Sequence, residues 1–317
     1  MREKKNFAER VKVLPSDEVK KKYFMVYEGR DTERIYFEAV NEYRDDIKIN
    51  PLIEFVPLLR SYSEEGWSNP KKILDRVLQN ISEINSEQIR VETLLNWVME
   101  YLYDVQILTT SRVDAANMWA TLKLICEEKL DLELTSYIDK LDLEQVCSKI
   151  AQYFLEETDL ASIIEDVPKI INNRTITYDE GFDKICFVID RDRHSFVSKP
   201  NNDQYDYVLK ICKEKGFGFY LSNPCFEFWL LLHFNQVKQL DEDKLLNNPK
   251  VTSNYRYVEH ELRKLLPGYR KSGYSIEKLI PNVDIAIQNE ADYCENEEEL
   301  KYSVGSRVGL LIKELRE

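Results

Sequence analysis

The chain has 317 residues, with 57 Asp and Glu against 44 Lys and Arg, for a net charge of −13. Hydrophobic residues make up 43%, enough to bury one large core or two smaller ones, which excludes a low-complexity or disordered chain. No run of about 18 uncharged apolar residues exists and the start, Met1-Arg-Glu-Lys-Lys5, is polar, so neither a membrane span nor a signal peptide is expected and the protein should stay in the cytoplasm.

The first 22 residues carry 8 basic and 4 acidic side chains and read as a basic arm. Tyr23–Tyr27 is a short apolar run of β type, closed by Glu28 and Gly29. A helix is expected from Thr32 to Tyr43, a second strand within Ile47–Pro57, and a further helix opening at Asn69-Pro70. Between Pro70 and Pro168 there is neither Gly nor Pro. Residues 81–166 hold 18 acidic and 6 basic side chains, a net −12, which leaves −1 for the rest of the chain. Leu94, Val98, Leu102 and Val105 repeat at helical spacing, as do Val146, Ile150 and Phe154, and Ser111 with Asp114 suggests a capping box. The stretch 85–175 therefore reads as an acidic, all-helical insertion between two halves of a core, 23–84 and 176–317.

After the insertion, Lys184–Ile189 is almost continuously apolar, as parallel strands buried on both faces are. A helix over 203–215, a strand over Phe217–Leu221 and a helix over Cys225–Phe234 follow. Strands alternating with helices imply an α/β fold with a parallel sheet flanked by helices. In such sheets the working groups lie just past the carboxyl ends of the strands. There the sequence places acids: Glu28 after the first strand, Asp190 and Asp192 in Asp190-Arg-Asp-Arg-His194, and Glu227 in Ser222-Asn-Pro-Cys-Phe-Glu227. Carboxylates gathered at one sheet edge repel one another, and a divalent cation relieves them. Six dispersed Cys without a CxxC pair, and only three His, favour Mg²⁺ or Mn²⁺ over zinc. Each acid also has a plainer reading: Glu28-Gly29 as a turn, Asp190 and Asp192 as a solvated turn, Glu227 as a first-turn partner of the helix dipole with Ser222 or Asn223 capping. His194 reads equally as an acid/base or as an exposed side chain, His233 as a packed histidine.

Three blocks carry a resemblance. Tyr27-Glu-Gly-Arg-Asp-Thr-Glu33 with Tyr36-Phe37, Val188-Ile-Asp-Arg-Asp192 with His194, and Leu221-Ser-Asn-Pro-Cys-Phe-Glu-Phe-Trp-Leu-Leu-Leu-His-Phe234 resemble the RloB-like family over about residues 20–80 and 180–280. The insertion lies outside that span, and Tyr302–Gly309 stands where the family has an Asn-Pro-Ser-Thr-like segment. The resemblance implies a Toprim-type (topoisomerase–primase) fold, in which a Glu after the first strand and a later DxD bind Mg²⁺ and catalyse. Glu28 matches that Glu, and Asp190 and Asp192 match the DxD. Glu33 and Glu227 match further acidic positions and would complete the metal shell. It also implies an anti-phage defence component, often found beside an AAA-type ATPase, whose Toprim relatives act as nucleases, some on tRNA.

A basic, aromatic-interleaved segment fits such a substrate. Arg263, Lys264, Tyr269, Arg270 and Lys271, with Arg30, Arg191 and Arg193 near the acids, are the expected nucleic-acid contacts, and Arg270 or Lys271 the expected holder of the scissile phosphate. The expected function is a Mg²⁺- or Mn²⁺-dependent endonuclease on RNA or DNA in abortive phage defence, with Glu28, Asp190, Asp192, Glu227, His194 and Lys271 as catalytic residues. The alternative is a non-catalytic Toprim module that docks on an AAA-type ATPase or senses a nucleotide. No membrane contact is expected, and a homo-oligomer stays open.

Overall fold

The computed structural model describes residues 20–29, 31–58, 70–84, 87–104, 108, 112–154, 161, 164–165, 167, 179–191 and 204–317. The basic arm up to residue 19, Asn69, Val105, Ser111 and the end of the insertion at 168–178 lie outside the described residues.

In chain order, β1 (Lys21–Tyr27) leads through α1 (Thr32–Glu42) to β2 (Ile53–Leu58) and α2 (Pro70–Ile84). The acidic segment then contributes β3 (Gln88–Arg90), α3 (Val91–Asp104), α4 (Arg112–Leu124), β4 (Tyr137–Asp139) and α5 (Leu143–Ala151). The chain returns as β5 (Lys184–Asp190), α6 (Gln204–Lys215), β6 (Gly218–Asn223) and α7 (Phe226–Leu232). It closes with α8 (Glu242–Asn247), α9 (Tyr257–Leu265), α10 (Val283–Glu290), β7 (Gly305–Ser306) and α11 (Val308–Leu315).

The main sheet has the order β2-β1-β5-β6-β7. The first four strands are parallel and β7 is antiparallel to β6. Period-two alternation sorts the strand residues onto two faces. Tyr23, Met25, Cys186, Val188 and Tyr220 pack with α1, α7, α9, α10 and α11. Phe24, Val26, Ile185, Phe187, Ile189, Phe219 and Leu221 pack with α2 and α6. Helices on both faces explain why these strands are apolar at nearly every position. The expected mixed α/β sheet flanked by helices is thus observed.

Tyr36 of α1 is the pivot of the first layer. Its ring meets Phe226, Trp229 and His233 edge-on at 5.5–6.0 Å, and its hydroxyl lies 3.0 Å from His233 Nε2. His233 Nδ1 faces the Trp229 carbonyl at 3.1 Å, so Nδ1 must donate there and Nε2 accepts from Tyr36. Burial lowers the pKa of this histidine to about 4, which keeps it neutral. It is the packed histidine that its apolar surroundings suggested.

Three expectations need correction. The strand expected within Ile47–Pro57 begins only at Ile53, because residues 43–52 form a turn. Lys48 adopts a left-handed φ of 63° there, and the Arg44 guanidinium donates to the Asn50 and Ile53 carbonyls at 2.8 Å each. Ile47 and Ile49 are buried from that turn, so their hydrophobicity marked the core but not a strand. The acidic segment is not all-helical: β3 and β4 pair antiparallel, Ile89 opposite Ile138. Strands of three residues leave no alternation to read. Together with α3, α4 and α5 they close a separate apolar core that includes Leu94, Val98, Leu102, Val146 and Ile150. Ser222 and Asn223 belong to β6 and do not cap α7; they pair with Ser306 and Gly305 of β7.

At the amino ends of the strands one carboxylate ties three of them to the last helix. Glu314 of α11 accepts from Tyr23 (2.9 Å), Tyr220 (2.6 Å) and Lys184 (2.6 Å). Burial pushes the Glu314 pKa up, but the hydrogen bonds from Lys184 and Tyr220 prevail and hold it below the usual glutamate value. A depressed carboxylate pKa contributes stability above the unfolded pKa of about 4.3, lost as pH falls through the folded value. Glu314→Gln should cost about 1–2 kcal/mol in urea melts at pH 7, with the gap to wild type closing as the pH is taken below about 4; a gap that stays constant with pH would refute this account.

Candidate active site

The site is built where β1, β5 and β6 end side by side. The Glu28 amide donates to the Val188 carbonyl at 3.1 Å, which carries β1 one residue further along β5. Glu28 Oε2 then accepts the Asp190 amide at 2.8 Å. Asp190 Oδ1 in turn accepts the Phe226 amide at 2.7 Å. That amide is the first of α7, so the helix start is satisfied from the neighbouring strand rather than by a local cap. Cys225, the residue before α7, makes no capping hydrogen bond of its own. Two carboxylates are thereby strung through backbone amides across the sheet.

The other two acids come from the first turns of helices. Glu33 of α1 takes the Gly29 amide on Oε1 at 2.9 Å. A Cβ at Gly29 would run into the Glu33 carboxylate, so a side chain there would have to push that carboxylate aside. Glu227 of α7 receives the Tyr269 hydroxyl at 3.1 Å and the Lys271 ammonium at 3.0 Å, both on Oε1. Glu28, Glu33 and Glu227 are all buried.

The electrostatics separate two of these groups. Burial raises the Asp190 pKa well above the usual value, and the charges of Glu33, Glu28 and Glu227 push it the same way. Burial also pushes Glu227 up, but Lys271 outweighs it and the carboxylate ends below its usual range. Lys271 is raised, first by Glu227. One acid is thus held in favour of its proton and another held ionised, within one constellation.

Lys271 sits at the tip of a tight turn. Arg270 and Gly273 close it with reciprocal backbone bonds of 3.1 and 3.0 Å. Its root is fixed against α1: the Tyr274 hydroxyl donates to the Thr32 carbonyl at 2.6 Å, and Thr32 Oγ1 reaches the Lys271 carbonyl at 3.3 Å. Tyr269 and Tyr274 pack ring to ring at 5.4 Å.

The expected site residues divide accordingly. Glu28, Glu33, Asp190, Glu227 and Lys271 come together. Arg30, Asp192, Arg193 and His194 lie outside the described residues. Tyr269, expected to stack on a base, is fully buried and serves Glu227 instead. Arg263 is taken up by the Tyr255 ring at 4.3 Å and by the Tyr269 carbonyl. Lys264 pairs with Glu261 at 2.7 Å, and Arg191 is buried. Of the expected nucleic-acid contacts among the described residues, Arg270, Lys271 and Lys264 are exposed. Sequence reasoning missed Cys225, whose thiol pKa is raised by burial and by the charges of Glu227 and Asp190, and missed the Thr32–Tyr274 anchor. The Thr32–Tyr274 anchor carries no local signal, since it joins residues far apart in the chain. An open cleft of about 450 Å³ lies at the other end of α7, between Phe234, Gln239 and Ile285, away from the acids.

The donor chemistry suits a hard divalent cation: oxygen ligands, crowded enough to drive up the Asp190 pKa. Among the described residues, however, no group of three or more His, Cys, Asp or Glu is arranged as a metal site, and Asp192 lies outside them. No helix among the described residues is long and apolar enough to cross a membrane.

No curated protein and no solved structure matches the chain. The family model for RloB-like proteins matches residues 127–315. This span differs from the extent read from the motifs: it takes in 127–175, placed above outside the resemblance, runs through α11, and does not reach residues 20–80. It holds β5, β6 and α7 with Asp190 and Glu227, and the turn with Lys271, so the chain belongs to the RloB-like family.

Proposed function

We propose that the protein is a Mg²⁺- or Mn²⁺-dependent phosphodiesterase with a Toprim-type core, cleaving RNA (tRNA among the candidates) or DNA in anti-phage defence. The observation that carries this reading is the convergence of Glu28, Asp190 and Glu227 at the carboxyl ends of three adjacent parallel strands, with Glu33 close enough to act on Asp190. Family resemblance supplies the nucleic-acid substrate, the defence setting and the Toprim assignment. Glu28 and Asp190, with Asp192, would hold the cation, and Glu227 and Glu33 would complete its shell. When bound, it supplies Lewis-acid polarisation of a phosphate oxygen. The chain's own groups do the rest. Glu28, oriented by the Asp190 amide, positions the attacking water. Asp190 keeps Oδ1 on the Phe226 amide, so a proton it carries resides on Oδ2. Lys271, at the exposed rim, faces developing phosphate charge.

Incubation with total RNA, tRNA, plasmid and single-stranded DNA in Mg²⁺ or Mn²⁺ is the direct assay. Glu28→Gln and Asp190→Asn each retain an oxygen for the amide they serve. They should leave thermal melting unchanged while cutting cleavage by at least ~10²-fold; full activity in either variant sinks the assignment. Gly29→Ala should act at one remove. The added methyl displaces the Glu33 carboxylate, costing about 1–3 kcal/mol of stability together with most of the activity, and wild-type behaviour would show that the Gly29–Glu33 contact is dispensable.

One observation favours the alternative of a non-catalytic module that docks on an AAA-type ATPase or binds a nucleotide. The described carboxylates already serve the backbone, Tyr269 and Lys271, and could be purely architectural. On that reading Mg²⁺ leaves the melting temperature unchanged and Glu28→Gln has no effect beyond stability.

A further inference from the structure

Lys271 occupies a position that the proposed function leaves open to a second role. Its ammonium lies 3.0 Å from Glu227 Oε1, yet the lysine side chain is 63% exposed while that of Glu227 is 3% exposed. The ammonium reaches a buried carboxylate while most of the side chain's surface stays exposed. The backbone beneath it is fixed by Tyr269, Tyr274 and Thr32. The lysine therefore has a rigid root and a flexible four-carbon stem, and its compact, strongly hydrated charge loses little on returning to water.

Three neighbouring carboxylates push the Asp190 pKa up, and the Lys271 ammonium pulls it down. A divalent ion among Glu28 and Asp190 would supply the same neutralisation more strongly, and two positive centres a few ångströms apart in a partly buried site repel one another.

We infer that Lys271 is the resident counter-ion of Glu227, and that an entering divalent cation displaces it from Glu227 towards solvent, where it can meet a phosphate. This rests on the reading of the carboxylates as a metal site. It makes the lysine a competitor of the metal in the empty protein and a substrate contact in the loaded one. The displaced ammonium leaves Glu227 with its Tyr269 hydroxyl bond, so the buried carboxylate is not stranded.

Two measurements on the full chain test it. Mn²⁺ titration by calorimetry should show Lys271→Met binding about tenfold more tightly than wild type, since a competing charge is gone. Because that variant removes the partner of a buried acid and can compromise folding, the second measurement uses wild type alone. Acylation of lysine amines, read by peptide mass spectrometry, should rise at least ~3-fold at Lys271 on adding Mn²⁺ and stay constant at Lys264, which has its own partner in Glu261. Mn²⁺ binding that Glu28→Gln abolishes, with Lys271 labelling unchanged and no tighter binding in Lys271→Met, overturns the displacement while leaving the metal site standing. Absence of Mn²⁺ binding in wild type and variant alike overturns both.

Discussion

The structure depends on the hydrogen bond from the Asp190 amide to the Glu28 carboxylate, and on its continuation from the Phe226 amide to Asp190. Removing a carboxylate from water is costly unless fixed donors replace the lost hydration. Backbone amides at strand ends and helix starts are such donors, because they have no partner within their own element. A hydrogen bond from a backbone amide to a carboxyl oxygen contributes about 0.5–1.5 kcal/mol, and leaving such an amide buried without its acceptor costs about 1–3 kcal/mol. The acids thus satisfy the open ends of β5 and α7, and those open ends hold the acids in place. Shifting either strand by one residue would lose both functions, which ties the register of β1, β5 and β6 to the chemistry at their tips.

The two ends of the sheet solve the problem of buried charge differently. At the amino ends, Glu314 is met by one ammonium and two phenol hydroxyls, and its pKa falls. That end locks α11 to three strands. At the carboxyl ends, burial and the charges of Glu33, Glu28 and Glu227 raise the Asp190 pKa, and Lys271 opposes them only in part. An arrangement that raises the energy of its own charged form is poorly explained by stability alone. Perturbed acids of this kind concentrate where a ligand relieves them. The contrast within one sheet is stronger support for a functional reading than either cluster taken singly.

What could be read from the sequence follows from the range of the interactions involved. β1 and β5 were legible because both faces are buried, so Phe24, Val26, Phe187 and Ile189 fill the positions that Tyr23, Met25, Cys186 and Val188 leave. Glu28, Asp190 and Glu227 stood out because each breaks an apolar run at a strand or helix boundary. Ile47 and Ile49 misled because an apolar turn and an apolar strand look alike over ten residues. The β3–β4 pair was hidden because three residues carry no period. Tyr269 was assigned to solvent on the strength of its basic neighbours, but its place is set by Glu227, 42 residues away. Composition near a residue indicates what surrounds it in the chain, not what covers it in the fold.

The same distinction governs the net charge. Most of the −13 lies in residues 81–166, whose described part closes an apolar core of its own and exposes Asp114, Glu127, Glu128, Asp131 and Glu133. Exposed charges of this sort are screened over about 10 Å at ordinary ionic strength. They govern long-range approach and solubility, and say little about what happens at the strand tips. Of the four acids there, Glu28, Glu33 and Glu227 are buried and Asp190 half-buried, so each interacts with its neighbours more strongly than an exposed one would. A chain can therefore be acidic overall and still expose Arg270 and Lys271 on the turn that meets Glu227. It is the local arrangement of a handful of buried charges, and not the sum, that bears on which ligands the protein accepts.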